Sequence, residues 1–190
     1  MSLCLNSENI QNNPEEKKCF TEEDFKQDEF FNDLKLSYTQ KKMAEFLLSY
    51  KGYSPQNIES NKEFLISLED KNFKAYADFI IKLGDKRLIF VKCAANSLAS
   101  WERYSTAFCR VVDSYQIPYA FITDGETATL LNITEGSAKE GDIKIMPSKD
   151  EAESISRNTV FHSYSEDRKE KEKRIIYAFE GIKNTSEADP

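Results

Sequence analysis

Residues Tyr76–Cys93, YADFIIKLGDKRLIFVKC, decide how the rest of the chain is read. In Phe73–Leu83 the odd positions are Phe73, Ala75, Ala77, Phe79, Ile81 and Leu83, all apolar. A period of two is the mark of a strand, whose successive side chains point to opposite faces. It predicts Asp78 on the face opposite that row, beside Lys74, Tyr76 and Lys82. Gly84-Asp85 supplies turn chemistry, and Arg87–Cys93 (RLIFVKC) has the branched apolar content of a buried strand. Lys92 then shares a face with Phe90 and Leu88. The stretch is a hairpin carrying an acid on one strand and a lysine near the end of the next.

Working outward, Ile58–Leu68 (IESNKEFLISL) reads as a strand, and Glu69-Asp70-Lys71-Asn72 as the turn joining it to the Asp78 strand. Three antiparallel strands in succession follow. Upstream, Ser37 with Gln40 is a capping box that opens a helix. Met43, Phe46, Leu47 and Tyr50 give that helix its apolar stripe, and Gly52 ends it. Thr21, followed by Glu22, Glu23 and Asp24, marks an earlier helix start, with residues 1–20 as a flexible leader.

Downstream, Ala99–Tyr115 has the spacing of an amphipathic helix, with Trp101, Tyr104, Phe108, Val111, Val112 and Tyr115 on one stripe. Pro118–Thr123 reads as a buried strand, turned at Asp124-Gly125 into Glu126–Ile133 as a hairpin. Gly141–Pro147 is a short edge segment and Lys149–Arg157 a short helix. Ser163 with Glu166 opens a last charged helix carrying Ile175, Ile176, Phe179 and Ile182, with a loose end from Asn184. The order is helix, three-strand meander, helix, strand hairpin: an α/β core over residues 21–147, with a C-terminal helical extension and tail over 148–190.

The 190 residues suffice for one domain of ordinary size with extra ends. Lysine and arginine number 26 against 33 aspartates and glutamates, a net charge of −7, so nucleic acid would need a local basic groove rather than bulk attraction. Cys4, Cys19, Cys93 and Cys109 show no CxxC spacing, which argues against zinc and for reduced thiols in a cytoplasmic protein. No apolar run approaches the length of a membrane span. His162 is the sole histidine, so Ser–His or Cys–His catalysis has little support.

An acid on one strand and a lysine on the next, in this order of elements, resembles the PD-(D/E)xK nuclease superfamily, whose motif is an Asp followed by Glu-x-Lys. More narrowly, residues 37–147 resemble the N-terminal nuclease-like domain of type I restriction enzyme R subunits, found also as a stand-alone bacterial protein. The match is carried by Lys51-Gly52-Tyr53, Ala77-Asp78-Phe79-Ile80, Ile89-Phe90-Val91-Lys92 and Tyr119–Gly125 (YAFITDG). The resemblance implies a restriction-endonuclease-like fold, Mg²⁺ bound by Asp78, and Lys92 assisting DNA hydrolysis.

The chain departs from that pattern at Phe90, where the family has its Glu. A phenylalanine cannot ligate a metal. Glu45 matches the place where some superfamily members carry an extra acid, and Glu59 or Glu102 are the other candidate substitutes. Lys74, Lys82 and Arg103 are the candidate phosphate contacts. Three readings follow. The leading one is a non-cleaving module that binds nucleic acid or a partner protein; the others are an active Mg²⁺-dependent DNA endonuclease with a migrated Glu, and a purely protein-interacting subunit. A basic groove along Lys74, Lys82, Lys92 and Arg103 would favour DNA, and its absence a protein partner. Read without the resemblance, Asp78 is a solvated strand residue or ion-pair partner and Trp101 a core side chain.

Overall fold

The computed structural model describes residues 36–69, 71–94 and 97–186, with side chains as far as Gly181. The helix expected over residues 21–34, the leader before it, Cys4, Cys19 and the last four residues lie outside the described residues. Everything below belongs to the unit Ser37–Pro190.

The Ser37 capping box starts helix α1 (Tyr38–Glu45). The Gln40 backbone N–H donates to Ser37 Oγ, and Gln40 Oε1 accepts from the Ser37 N–H. The helix then widens into a π turn, Phe46–Tyr50, closed by the Lys51 N–H on Phe46 O at 3.1 Å. A π turn advances fewer degrees per residue, so the apolar stripe is delayed. Leu48 becomes buried, while Tyr50, placed on the stripe by regular spacing, is 74% exposed. Gly52, at φ 75°, takes the left-handed position that ends the segment.

Six strands lie side by side in chain order. They are β1 (Ile58–Leu68), β2 (Lys71–Leu83), β3 (Lys86–Cys93), β4 (Tyr119–Thr123), β5 (Thr127–Asn132) and β6 (Ser137–Asp142). Only β3 and β4 are parallel neighbours, and the crossover this requires is helix α2 (Leu98–Val111). The helix stops four residues short of Tyr115. Asp113 turns its carboxylate to Arg87, and Pro118 biases Ile117 to extended backbone. The edge strand also begins earlier than its sequence reading. Gly136, at φ 71°, donates its N–H to Asn132 O and returns the chain at once, so Ser137 pairs with Asn132.

Helices α3 (Lys149–Asn158) and α4 (Glu166–Ser186) complete the unit. The Ser165 carbonyl accepts the first α4 bonds, two residues beyond the Ser163 start read from the sequence. Asn184 lies within that helix rather than in a loose end. On one face of the sheet α2 and α4 pack with Ile80, Phe90, Ala120 and Ile122 in one core cluster. Phe79, Ile81, Ile89 and Val91 alternate with these and are equally buried on the other face, where α1 packs on β3. Strands covered on both faces read as continuous apolar runs, which explains RLIFVKC. Each such large side chain contributes about 1.5–3 kcal/mol by leaving water.

The alternation predicted for β2 breaks at the residue that matters. Ala75, Ala77 and Ile80 all pack into the α2–α4 cluster, which strict alternation forbids. The β1–β2 register runs Lys62 with Ala77, then Ser60 with Phe79, and between them Asn61 sits in left-handed backbone at φ 47°. Asp78, whose partner Lys92 lies against Trp101 of α2, faces the side of Ala77. Asp78 therefore leaves Lys74 and Tyr76, its expected face-mates, on the outer surface of the hairpin.

Candidate functional site

Asp78 stands next to the last β2–β3 pair, Phe79 with Val91, near the C-terminal end of β3. Its side chain is 12% exposed and that of Lys92 is 8% exposed. The Lys92 ammonium lies 2.7 Å from Asp78 Oδ2, which also accepts the Cys93 backbone N–H at 2.8 Å. Asp78 Oδ1 accepts the Gln40 side-chain amide at 2.9 Å. Both carboxylate oxygens are thus held by protein donors. One Gln40 side chain caps α1 with its oxygen and reaches Asp78 with its nitrogen, which sets the carboxylate beside the electropositive end of that helix. On the other side the ammonium lies 5.0 Å from the Trp101 ring centre, a cation–π contact.

A buried pair of this kind gains little net stability over apolar side chains, but losing either partner strands a charge. The adjoining Cys93 is no nucleophile. Burial first, then the Asp78 carboxylate, pushes its thiol well above the usual cysteine range.

Phe90 is fully buried and stacks on Phe108 of α2 with ring centres 4.4 Å apart. The position at which the Glu-x-Lys motif would place its carboxylate is occupied by core. The three proposed substitutes stand elsewhere. Glu45 is exposed on α1. Glu59 meets the Arg87 guanidinium with both oxygens, at 2.8 and 3.2 Å. Glu102 lines a groove between α2 and the β5–β6 hairpin. Among the described residues no group of three or more His, Cys, Asp or Glu side chains is placed to hold a metal ion. Asp78 is one carboxylate with both oxygens engaged, and the donor set does not fit a hard divalent cation, which needs several oxygen ligands.

The four cations read as a possible groove fall in separate places. Lys74 pairs with Glu63 at 3.0 Å on the outer hairpin face, where Tyr76 Oη also donates to Glu63. Those two bonds, that from Lys74 first, hold the Glu63 carboxyl below its usual range. Lys82 lies opposite Arg87, at the far end of β3 from Lys92. Arg103 reaches Glu172 of α4 at 2.6 Å, and Arg110 reaches the same buried carboxylate at 2.9 Å.

The family described as the type I restriction enzyme R protein N terminus matches residues 37–147, more than half of the chain. The chain belongs to that family. No curated protein and no solved structure matches it. The mixed α/β architecture, with its six-stranded sheet, agrees with the restriction-endonuclease-like fold that membership implies. Among the described residues no helix is long and apolar enough to cross a membrane.

The R-protein N-terminus match stops before α3 and α4, yet α4 supplies Ile176 to the core cluster and Glu172 to Arg103 and Arg110. The family pattern singles out Asp78 and Lys92 but not Gln40, whose capping role conceals its second bond. Trp101, by its spacing on α2, reads as a core side chain. The one signal for Gln40 was its place in the first turn of α1, the turn that faces the end of β3.

Proposed function

We propose that this R-protein N-terminus domain is a non-cleaving binding module whose partner is a protein rather than nucleic acid. One observation carries the reading. Asp78, the carboxylate that would hold a catalytic metal, has both oxygens bonded to Lys92, Cys93 and Gln40. A metal would have to break these bonds and still lack a second carboxylate, because Phe90 is packed on Phe108. The choice of partner rests on charge. Lys74, Lys92 and Arg103 each face a carboxylate of the same chain, and the net charge is −7. Phosphate recognition draws on uncommitted lysines and arginines.

The deciding experiment is a Mn²⁺ and Mg²⁺ titration by calorimetry on wild type and Asp78→Ala, run with a duplex-DNA hydrolysis assay at millimolar metal. The expected outcome is no heat that depends on Asp78 and no hydrolysis. Saturable binding and cleavage that both vanish in Asp78→Ala would establish an active endonuclease instead. Fluorescence anisotropy with duplex DNA at low salt separates the partner classes: tight binding with a steep salt slope would favour nucleic acid.

A further inference from the structure

The six-stranded sheet has two edges, β1 and β6, and an edge strand bares a row of backbone donors and acceptors. The two are built differently. β6 is 6 residues long, carries Lys139, Glu140 and Asp142, and has no large apolar side chain. Brevity and charge are what keep an edge strand from pairing. β1 is 11 residues long, and its second half, Phe64–Leu68, holds no charge. Leu65, inside that stretch, is 68% exposed. Among the described residues, Lys62–Leu68 bond through their backbone to β2 alone.

The hairpin decides which of these groups face outward. Leu68 pairs with Lys71 across a two-residue turn, and a turn that short is closed by a pair that exchanges its backbone bonds. Hydrogen-bonded pairs alternate along an antiparallel ladder, so Leu68, Ile66 and Phe64 direct their N–H and C=O to β2. Ser67, Leu65 and Glu63 direct theirs to the open edge. The regular stretch Lys62–Leu68 is bounded by two left-handed residues, Asn61 at φ 47° and Glu69 at φ 51°. Leu65 is its midpoint.

We infer that β1 is the docking edge for a second copy of this chain, the two β1 strands pairing antiparallel about a two-fold axis at Leu65. Such an axis sets Leu65 on Leu65, Phe64 on Ile66, Glu63 on Ser67 and Lys62 on Leu68. No like charges meet, and the two exposed leucines cover each other. The ladder uses all of Lys62–Leu68 and stops at the left-handed residue on either side. An axis one residue earlier brings Asn61 into the ladder against Ser67. One residue later, it brings Glu69 against Glu63. The occupant follows from this symmetry, because the open stretch of β1 complements itself and a two-fold contact closes. β6 does not: the two registers that overlap Ser137–Asp142 most fully place Lys139 on Lys139 or Glu140 on Glu140.

This inference is independent of the partner-binding reading, and its failure leaves that reading standing. The test is sedimentation equilibrium of the full chain up to millimolar protein, for wild type, Leu65→Lys, Leu65→Glu and an equimolar mixture of the two variants. The expected result is a reversible wild-type dimer and at least tenfold weaker association of each variant alone. Association returns in the mixture, where lysine meets glutamate on the axis. Amide hydrogen exchange gives a second readout that needs no variant. The Glu63, Leu65 and Ser67 amides gain protection as protein concentration rises, and those of β6 do not. A wild type that stays monomeric at millimolar concentration overturns the inference. So do dimers indifferent to both variants, and a mixture that associates no better than its components. Protection of the same amides by an extended peptide, without self-association, overturns it too and assigns the edge to a foreign strand.

Discussion

Replacing Lys92 by methionine keeps most of the side-chain length, leaves its contact with Trp101 and removes the charge. Asp78 is then a carboxylate with a 12% exposed side chain and no cation beside it. Breaking a buried ion pair from one side costs about 3–5 kcal/mol. Asp78 keeps its bonds from the Cys93 N–H and the Gln40 amide, which places the loss near about 3 kcal/mol, the lower end of that range. For a unit of this size that lowers Tm by roughly 6–12 °C. Asp78→Asn leaves the Lys92 ammonium on the Trp101 face and costs about 2–3 kcal/mol, because a charge is again stranded. The double variant has no stranded charge, so it loses only about 1–2 kcal/mol, and the coupling exceeds about 2 kcal/mol. Urea unfolding of the four proteins measures this directly, and the reporter is in place. Trp101 is the sole tryptophan and its ring lies over the pair. Losses that add to within about 0.5 kcal/mol, with each single variant below about 1 kcal/mol, would show a solvated, open pair.

Restoring the family's acid does not restore the site: Phe90→Glu sets a carboxylate against Phe108 in a fully apolar cluster. It destabilises by at least about 3–5 kcal/mol and creates no metal binding by calorimetry. Gly52→Ala forces a side chain into backbone at φ 75° and costs about 1–2 kcal/mol in urea unfolding. The acid limb of stability should respond at the α3 capping box, where the Ser148 N–H and then its hydroxyl hold the Glu151 carboxyl below the usual range. A depressed carboxyl contributes stability above its unfolded value of about 4.3 and loses it as pH falls through the lower folded value. Glu151→Gln keeps the cap but flattens the decline of the urea midpoint below about pH 4, whereas an unchanged acid slope would remove Glu151 from that account.

What could be read in the sequence was whatever one strand or helix decides alone. The β2–β3 hairpin, the burial of RLIFVKC and the capping box at Ser37 follow from local periodicity and turn chemistry. Asp78 and Lys92 could be named because the family pattern singles them out, but not the face they share. The face changes within β2 beside left-handed Asn61 of the neighbouring strand, which leaves no signal in the β2 pattern. The same limit hid the π turn that exposes Tyr50, and the burial of Glu172 within a helix that reads as highly charged. Buried polar side chains are legible only through their partners. The arginine partners of Glu172 lie more than 60 positions away in the chain.

The pattern of pairing bears on why the fold persists without its second acid. A nuclease site concentrates negative charge and relies on a cation to hold it together. Here charged groups at the centre of the domain meet partners from the chain itself: Asp78 meets Lys92, Glu59 and Asp113 meet Arg87, and Glu172 meets Arg103 and Arg110. With phenylalanine at position 90 no second carboxylate repels Asp78 there, and Lys92 closes on it. Phe90 adds a stacked pair with Phe108 in the space released. Each change favours the other, because a closed ion pair needs no metal and a core residue at position 90 excludes the ligand a metal would need. Release of the Gln40 and Lys92 bonds on Asp78 would have to accompany any return of metal binding.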